Sequence, residues 1–172
     1  MKIIRPLFPL NMLLNDEFKN IDNKEIIKEI KTGNLLSPSV KREPDVKLSK
    51  DGSCKNLIKQ IDELFNNIEK KIKVECEELW GQVFKKNECI NVHSHYDLNQ
   101  PNRNGFTFIY YPKAEKDSGN LVLELEFGLK DYSTEIEPKT GLLIILPLNI
   151  KHYTRKNKTD NDIITGKKND NN

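Results

Sequence analysis

Cysteine is scarce in this chain of 172 residues: Cys54, Cys76 and Cys89 are the only three, and no two of them form a C-x-x-C pair. An odd, scattered count gives no disulfide framework and little support for a cysteine zinc site, and it fits a reducing cytoplasm. Long apolar runs are also missing. The opening Met1–Leu10 is apolar but broken by Arg5, Pro6 and Pro9, and it has no signal-peptide core or small-residue cleavage site. No stretch approaches the roughly 20 apolar residues that cross a bilayer. A soluble cytoplasmic protein is expected, with no membrane partner. Charge of one sign is lacking too: 28 Lys and Arg against 26 Asp and Glu leave a formal +2, with a pI of about 8.3. A dedicated nucleic-acid binder would be more basic and would show a clustered patch.

At this length a single domain with a real core is expected, spanning 1–172. Ile3 to Leu14 reads as a short extended segment, which its prolines place at a sheet edge or outside the ladder. Asp22 is positioned to cap a helix running to about Lys31, with Ile26, Ile27 and Ile30 as its buried stripe and Gly33 as its stop. Residues 34–52 hold two prolines, several serines and many charges, and read as a loop. From Ser53 to about Lys73, Leu57, Ile61, Leu64, Phe65, Ile68 and Ile72 recur at helical spacing on one face. A helix along the outside of a sheet explains that face better than a coiled coil.

Beyond Val74 the pattern turns to short strands: Glu77–Phe84, Glu88–His95, Phe106–Tyr111, Leu121–Phe127, Gly141–Leu146, and then Lys151–Thr154 and Ile163–Thr165. The last residues, 166–172, are polar and read as a frayed tail. The whole is mainly β with N-terminal helices (an α+β chain), and a helical first half feeding six or so strands fits a double-stranded β-helix, or jelly roll, braced by helices.

Histidine is as scarce as cysteine, but its placement carries information. His93, Ser94 and His95 stand together and His152 follows much later. Residues i and i+2 on a strand share a face, and a third histidine on a neighbouring strand closes a facial set of three nitrogens with coordination positions to spare. Histidines also occur on strands for no catalytic reason, so spacing alone leaves both readings open. Asp97 is a spare carboxylate for the same site, although a surface aspartate in a turn explains it better.

The flanking residues add a resemblance. Trp80-Gly81-Gln82 precedes the histidines. Phe106 to Tyr111 ends in a tyrosine pair, and Ser118-Gly119-Asn120-Leu121 follows. Pro138-Lys139-Thr140-Gly141-Leu142 leads through an aliphatic run to Pro147, five residues before His152. This ordered set, over about residues 76–165, resembles the iron(II)/2-oxoglutarate-dependent oxygenases, in particular the small ones frequent in phages and marine microbes. The resemblance implies iron(II) on His93, His95 and His152, 2-oxoglutarate as co-substrate, and hydroxylation of an unidentified substrate. Most of these enzymes carry a carboxylate where His95 stands, although the phage-type subset often shows His-x-His. Three imidazoles also suit zinc.

The same resemblance calls for a cation on a late strand to hold the co-substrate's distal carboxylate. In similar sequences an arginine lies around ten residues past the last histidine; here Asn161 and Asp162 fall there. Arg155, Lys156 and Lys158 are nearby and each also reads as a solvated loop charge; Arg155 is the candidate cation, and Tyr110 the candidate hydroxyl partner if it is the inward member of the Tyr110–Tyr111 pair, although ordinary barrel packing explains both tyrosines as well. Trp80, alternating with Leu79, reads as core. Ser118-Gly119 and Lys139-Thr140-Gly141 read as turns that use glycine at positive φ. Two other functions compete: a non-catalytic jelly-roll protein of phage structure or assembly, joining copies of itself or a virion, and a cupin-like metalloprotein that needs no keto acid. If the chain is phage-encoded, its compartment is the host cytoplasm.

Overall fold

The computed structural model describes residues 2–4, 12–15, 18, 20–33, 46–68, 75–96, 105–127 and 130–171. They form ten strands and two helices. The strands are β1 (Lys2–Ile4), β2 (Met12–Asn15), β3 (Val46–Lys47), β4 (Glu75–Phe84), β5 (Gly105–Lys113), β6 (Leu121–Phe127), β7 (Lys130–Ile136), β8 (Leu143–Pro147), β9 (Lys151–Thr154) and β10 (Ile163–Asn171). The helices are α1 (Asn23–Thr32) and α2 (Lys55–Ile68). The larger sheet runs β1-β2-β8-β5-β10-β4-β3 and the smaller one β7-β6-β9, and every pairing is antiparallel.

Two apolar layers hold these parts together. Ile26 and Ile30 of α1, with Leu57, Ile61 and Phe65 of α2, pack on Leu79, Phe108, Tyr110, Leu143 and Ile145, so both helices cover the outer face of the larger sheet. Its inner face supplies Phe84, Ile109, Tyr111, Ile144 and Leu146, which meet Leu121 and Leu123 of the smaller sheet. β5 is therefore buried on both faces.

Asp22 caps α1 as expected, its side chain accepting from the backbone N–H of Lys24 and Glu25, both at 3.1 Å. Gly33 ends the helix for a different reason from the one expected. It is extended, at φ −74°. A side chain there would collide with Val46 and with the Glu29 carbonyl. Gly119 and Gly141 do adopt positive φ, +89° and +85°, as their turns require. The outward positions of α2, including Lys55, Asn56, Lys59 and Glu63, are exposed and polar. They give no support to a partner-binding apolar face.

Three expectations are corrected. Residues 88–95 are not a regular strand: they meet β9 through one isolated two-way bridge, between His93 and His152, and through bonds between Ile90 and Thr154. Neither β7 nor β3, which falls within the expected 34–52 loop and pairs with β4, was foreseen. The largest correction is at residues 166–171, where a polar tail was expected. They continue β10, which lies between β4 and β5 in the larger sheet and pairs with both. Backbone N–H and C=O groups make that ladder whatever the side chains, so a polar sequence can occupy a central strand. Residues 5–11, 34–45 and 69–73, with the Asp97 expectation, lie outside the described residues.

Candidate metal centre

His152 is on β9 directly across from Leu123 of β6, and Leu123 belongs to the layer between the sheets. Directly opposed residues share a face, so His152 faces inward, and it is 1% exposed. On its other side the backbones of His93 and His152 exchange both hydrogen bonds, at 3.0 and 2.8 Å. This two-way pair puts His93 on the same inner face, with ring centroids 4.3 Å apart. His95, two residues on, stands 5.2 Å by ring centroid from each of the other two. One donor nitrogen from each histidine can be chosen such that all three lie within 4.8 Å of one another.

The segment carrying His93 and His95 is held irregularly. Ile90 donates to the Thr154 hydroxyl at 2.8 Å, and the His95 N–H reaches past β9 to the Leu148 carbonyl at 2.9 Å. A regular ladder is lost on both sides of the bridge, yet the two histidines keep the alternation that aims them together. The imidazoles are oriented as well. Nδ1 of His93 meets the Asn91 carbonyl at 2.8 Å and Nδ1 of His152 meets the Ile150 carbonyl at 2.9 Å. A carbonyl can only accept, so both Nδ1 atoms carry the proton and both Nε2 atoms hold the lone pair that a metal needs. The Nε2 atoms of His95 and His152 are shielded from solvent. Three neutral nitrogens facing one point form a competent set for a divalent ion of the iron, nickel or zinc kind.

Tyr110 does not join them. It lies on the helix-facing side of β5, and its hydroxyl donates to Asn23 at 2.8 Å. The inward tyrosine is Tyr111, fully buried in the layer between the sheets; its hydroxyl has no hydrogen-bond partner among the described residues. Burial pushes its pKa well up, which keeps it a protonated donor. The alternation allowed one inward phenol, but nothing in the sequence chose which, because both faces of β5 are buried.

Arg155 is also misplaced for a co-substrate. It follows His152 by an odd number and lies on the outer side of the smaller sheet, about half exposed, paired with Glu135 at 2.7 Å and lying 5.4 Å from the Tyr153 ring. That hydrogen bond raises the arginine pKa and, with one from Asn120, lowers that of Glu135. The pair spans β6, over the fully buried Val122. An Arg155→Ala variant is expected to keep metal and keto-acid affinities within about twofold of wild type in calorimetry, because an exposed pair contributes little and does not reach the site. Asn161 and Asp162 face elsewhere: the Asn161 amide donates to Glu115 at 2.7 Å, and Asp162 pairs with Lys31 at 3.6 Å. Asp162 therefore does not repel an anion bound between the sheets.

Trp80 was expected in the core and is only partly buried. Leu79 packs against the helices, so Trp80 takes the inner face, its ring 6.0 Å by centroid from that of His95. Its nearness to His95 could not be read from sequence spacing, because it depends on how the two sheets close. Among the described residues no helix is long and apolar enough to cross a membrane.

No protein-family model and no curated protein matches the sequence. Solved structures do match the fold. A viral collagen prolyl hydroxylase from Paramecium bursaria Chlorella virus-1, in complex with 2-oxoglutarate, aligns at 19% identity over 93% of this chain and 95% of its own, with a TM-score of 0.69. A prolyl-4-hydroxylase from Pseudomonas putida aligns at 12% identity over 95% and 93%, with a TM-score of 0.71. HygX from Streptomyces hygroscopicus, with nickel and 2-oxoglutarate bound, aligns at 12% over 94% and 83%, with a TM-score of 0.69. The chain shares the fold of 2-oxoglutarate/Fe(II) oxygenases.

Proposed function

We propose that the protein is a non-haem iron(II)- and 2-oxoglutarate-dependent oxygenase that hydroxylates an acceptor at His93, His95 and His152. The observation that carries this reading is the convergence of three imidazoles, two of them oriented through Nδ1, on the inner face of the smaller sheet. The strand order supports it: β4, the 88–95 segment, β5, β6, β7, β8, β9 and β10 distribute between two sheets as the strands of a double-stranded β-helix do. A divalent iron ion bound there supplies the chemistry by which 2-oxoglutarate and dioxygen yield succinate, carbon dioxide and a hydroxylated acceptor.

The chain's own contributions follow from the geometry. His93 and His152 present Nε2 because their backbone partners hold the proton at Nδ1. The sheet layers exclude water from the inner end of the site, where Ile109, Leu121 and Ile144 are each at most 2% exposed. Tyr111 offers a buried hydroxyl there, and we assign it to the co-substrate's distal carboxylate in place of Tyr110. Ile109, two residues before it on the same face, is level with Trp80 through their shared backbone partner on β10, so Tyr111 lies roughly 7 Å along the strand from that level. A five-carbon diacid spans about that length.

Anaerobic titration with iron(II) and then 2-oxoglutarate tests the reading. A visible charge-transfer band from the chelated keto acid is expected in wild type. In Tyr111→Phe the same band should need about tenfold more keto acid, with iron affinity unchanged, because one hydrogen bond to a charged oxygen is lost. Iron binding without any band would favour the cupin-like reading. Absence of both would leave a scaffold without metal chemistry.

A further inference from the structure

Two of the three histidine rings are oriented by one local device. Nδ1 of His93 donates to the Asn91 carbonyl and Nδ1 of His152 to the Ile150 carbonyl, in each case two residues back along the chain. For His95 the carbonyl two residues back is that of His93. It already accepts from the His152 N–H at 2.8 Å within the bridge. The ring that meets His95 from the larger sheet is the indole of Trp80, 6.0 Å away by centroid, with the two planes inclined at 51°. That separation and tilt lie within the range over which aromatic pairs attract.

Trp80 is firmly supported. Its backbone pairs with β3 on one side and with β10 on the other. Leu79, before it, is buried against the helices. Gly81, after it, lies so close under Ile30 of α1 that a side chain there would collide. The strand is therefore seated on α1 at this level. His95, in contrast, is carried by a segment with one isolated bridge.

We infer that Trp80 is the positioning residue for His95. The indole, carried by the larger sheet, fixes the direction of a ring carried on the edge of the smaller one, and so shapes the metal centre before an ion arrives. A ligand held by a packed neighbour loses less freedom on binding than one left to turn. The consequence for metal affinity rests on the three histidines being ligands, but the ring contact itself does not.

Two variants separate the ring from its bulk: Trp80→Phe keeps an aromatic ring, and Trp80→Leu keeps apolar volume alone. Trp80 is only partly buried, so both are expected to fold, with urea midpoints as the check. Nickel(II) affinity by calorimetry should stay within about twofold of wild type in Trp80→Phe and fall about threefold to tenfold in Trp80→Leu. In the metal-free protein, the His95 ring protons should shift in the NMR spectrum of Trp80→Leu, through loss of the indole ring current, while those of His152 hold still. Wild type supplies a readout that needs no variant. Trp80 is the only tryptophan, and bound nickel should quench its emission with the stoichiometry seen by calorimetry.

Unmoved His95 signals, equal nickel affinity in the two variants, or emission untouched by bound nickel would each overturn the inference. Shifted His95 signals in a protein that binds no nickel would support the ring contact and overturn the metal-centre reading, so the two fail separately.

Discussion

A chain ending at Thr165 is expected to lose cooperative folding. The segment removed, Gly166–Asn171, pairs on one side with Glu75–Gly81 of β4 and on the other with Gly105–Tyr110 of β5. Without it, β4 and β3 lose their connection to the rest of the larger sheet. Each lost ladder hydrogen bond is worth only about 0.5–1.5 kcal/mol net, but the missing strand also leaves the facing backbone groups of β4 and β5 unpaired. A domain of this size is stable by about 5–15 kcal/mol, so losses along two ladders are of the same order as the whole. Urea unfolding followed by circular dichroism measures it. A sharp transition with wild-type midpoint in the shortened chain would restore the polar-tail reading and remove β10 from the core.

Replacing His152 by alanine is expected to lower nickel(II) or iron(II) affinity at least about a hundredfold. Removing even a hydrogen-bond partner of a metal ligand commonly costs 10- to 100-fold, and here one of the three proposed ligands itself is removed. The chain has only three histidines, so no other imidazole can substitute. The backbone pair between residues 93 and 152 involves no side-chain atom and survives the change. The fold should therefore persist while binding fails. Calorimetry on wild type should show one ion per chain, and His93→Ala should match His152→Ala. Wild-type affinity in either variant would show that the three imidazoles do not share an ion.

Several features were legible because they depend on local rules. The α1 cap needs only an aspartate before an apolar helical stripe. Leu57, Ile61 and Phe65 announce a helix face by spacing alone. The pairing of His93 with His95 needs only strand alternation, which the irregular 88–95 segment retains around its single bridge. The order of short apolar runs separated by turns was enough to place β4, β5, β6, β8 and β9 to within a few residues.

Other features were not legible, for identifiable reasons. Tyr110 and Tyr111 differ by one position on a strand buried on both faces, so no polar alternation marks which side meets the helices. Arg155 is close to His152 in sequence and on the opposite side of the sheet. β10 reads Ile-Ile-Thr-Gly-Lys-Lys-Asn-Asp-Asn, which has no apolar period to reveal a central strand. Trp80 alternates correctly with Leu79, and alternation says nothing about whether the inner face at that level is filled or open.

The sequence by itself thus determined the mainly β character, both helices and the three histidines as the candidate ligands, because caps, helical spacing and strand parity act over a few residues. Only the tertiary structure decided that His152 meets His93, that Tyr111 and not Tyr110 takes the face between the sheets, and that the Trp80 ring comes beside that of His95. Those relations come from strand register and sheet closure between segments dozens of residues apart, where the pairing is made by backbone groups that every residue except proline carries alike.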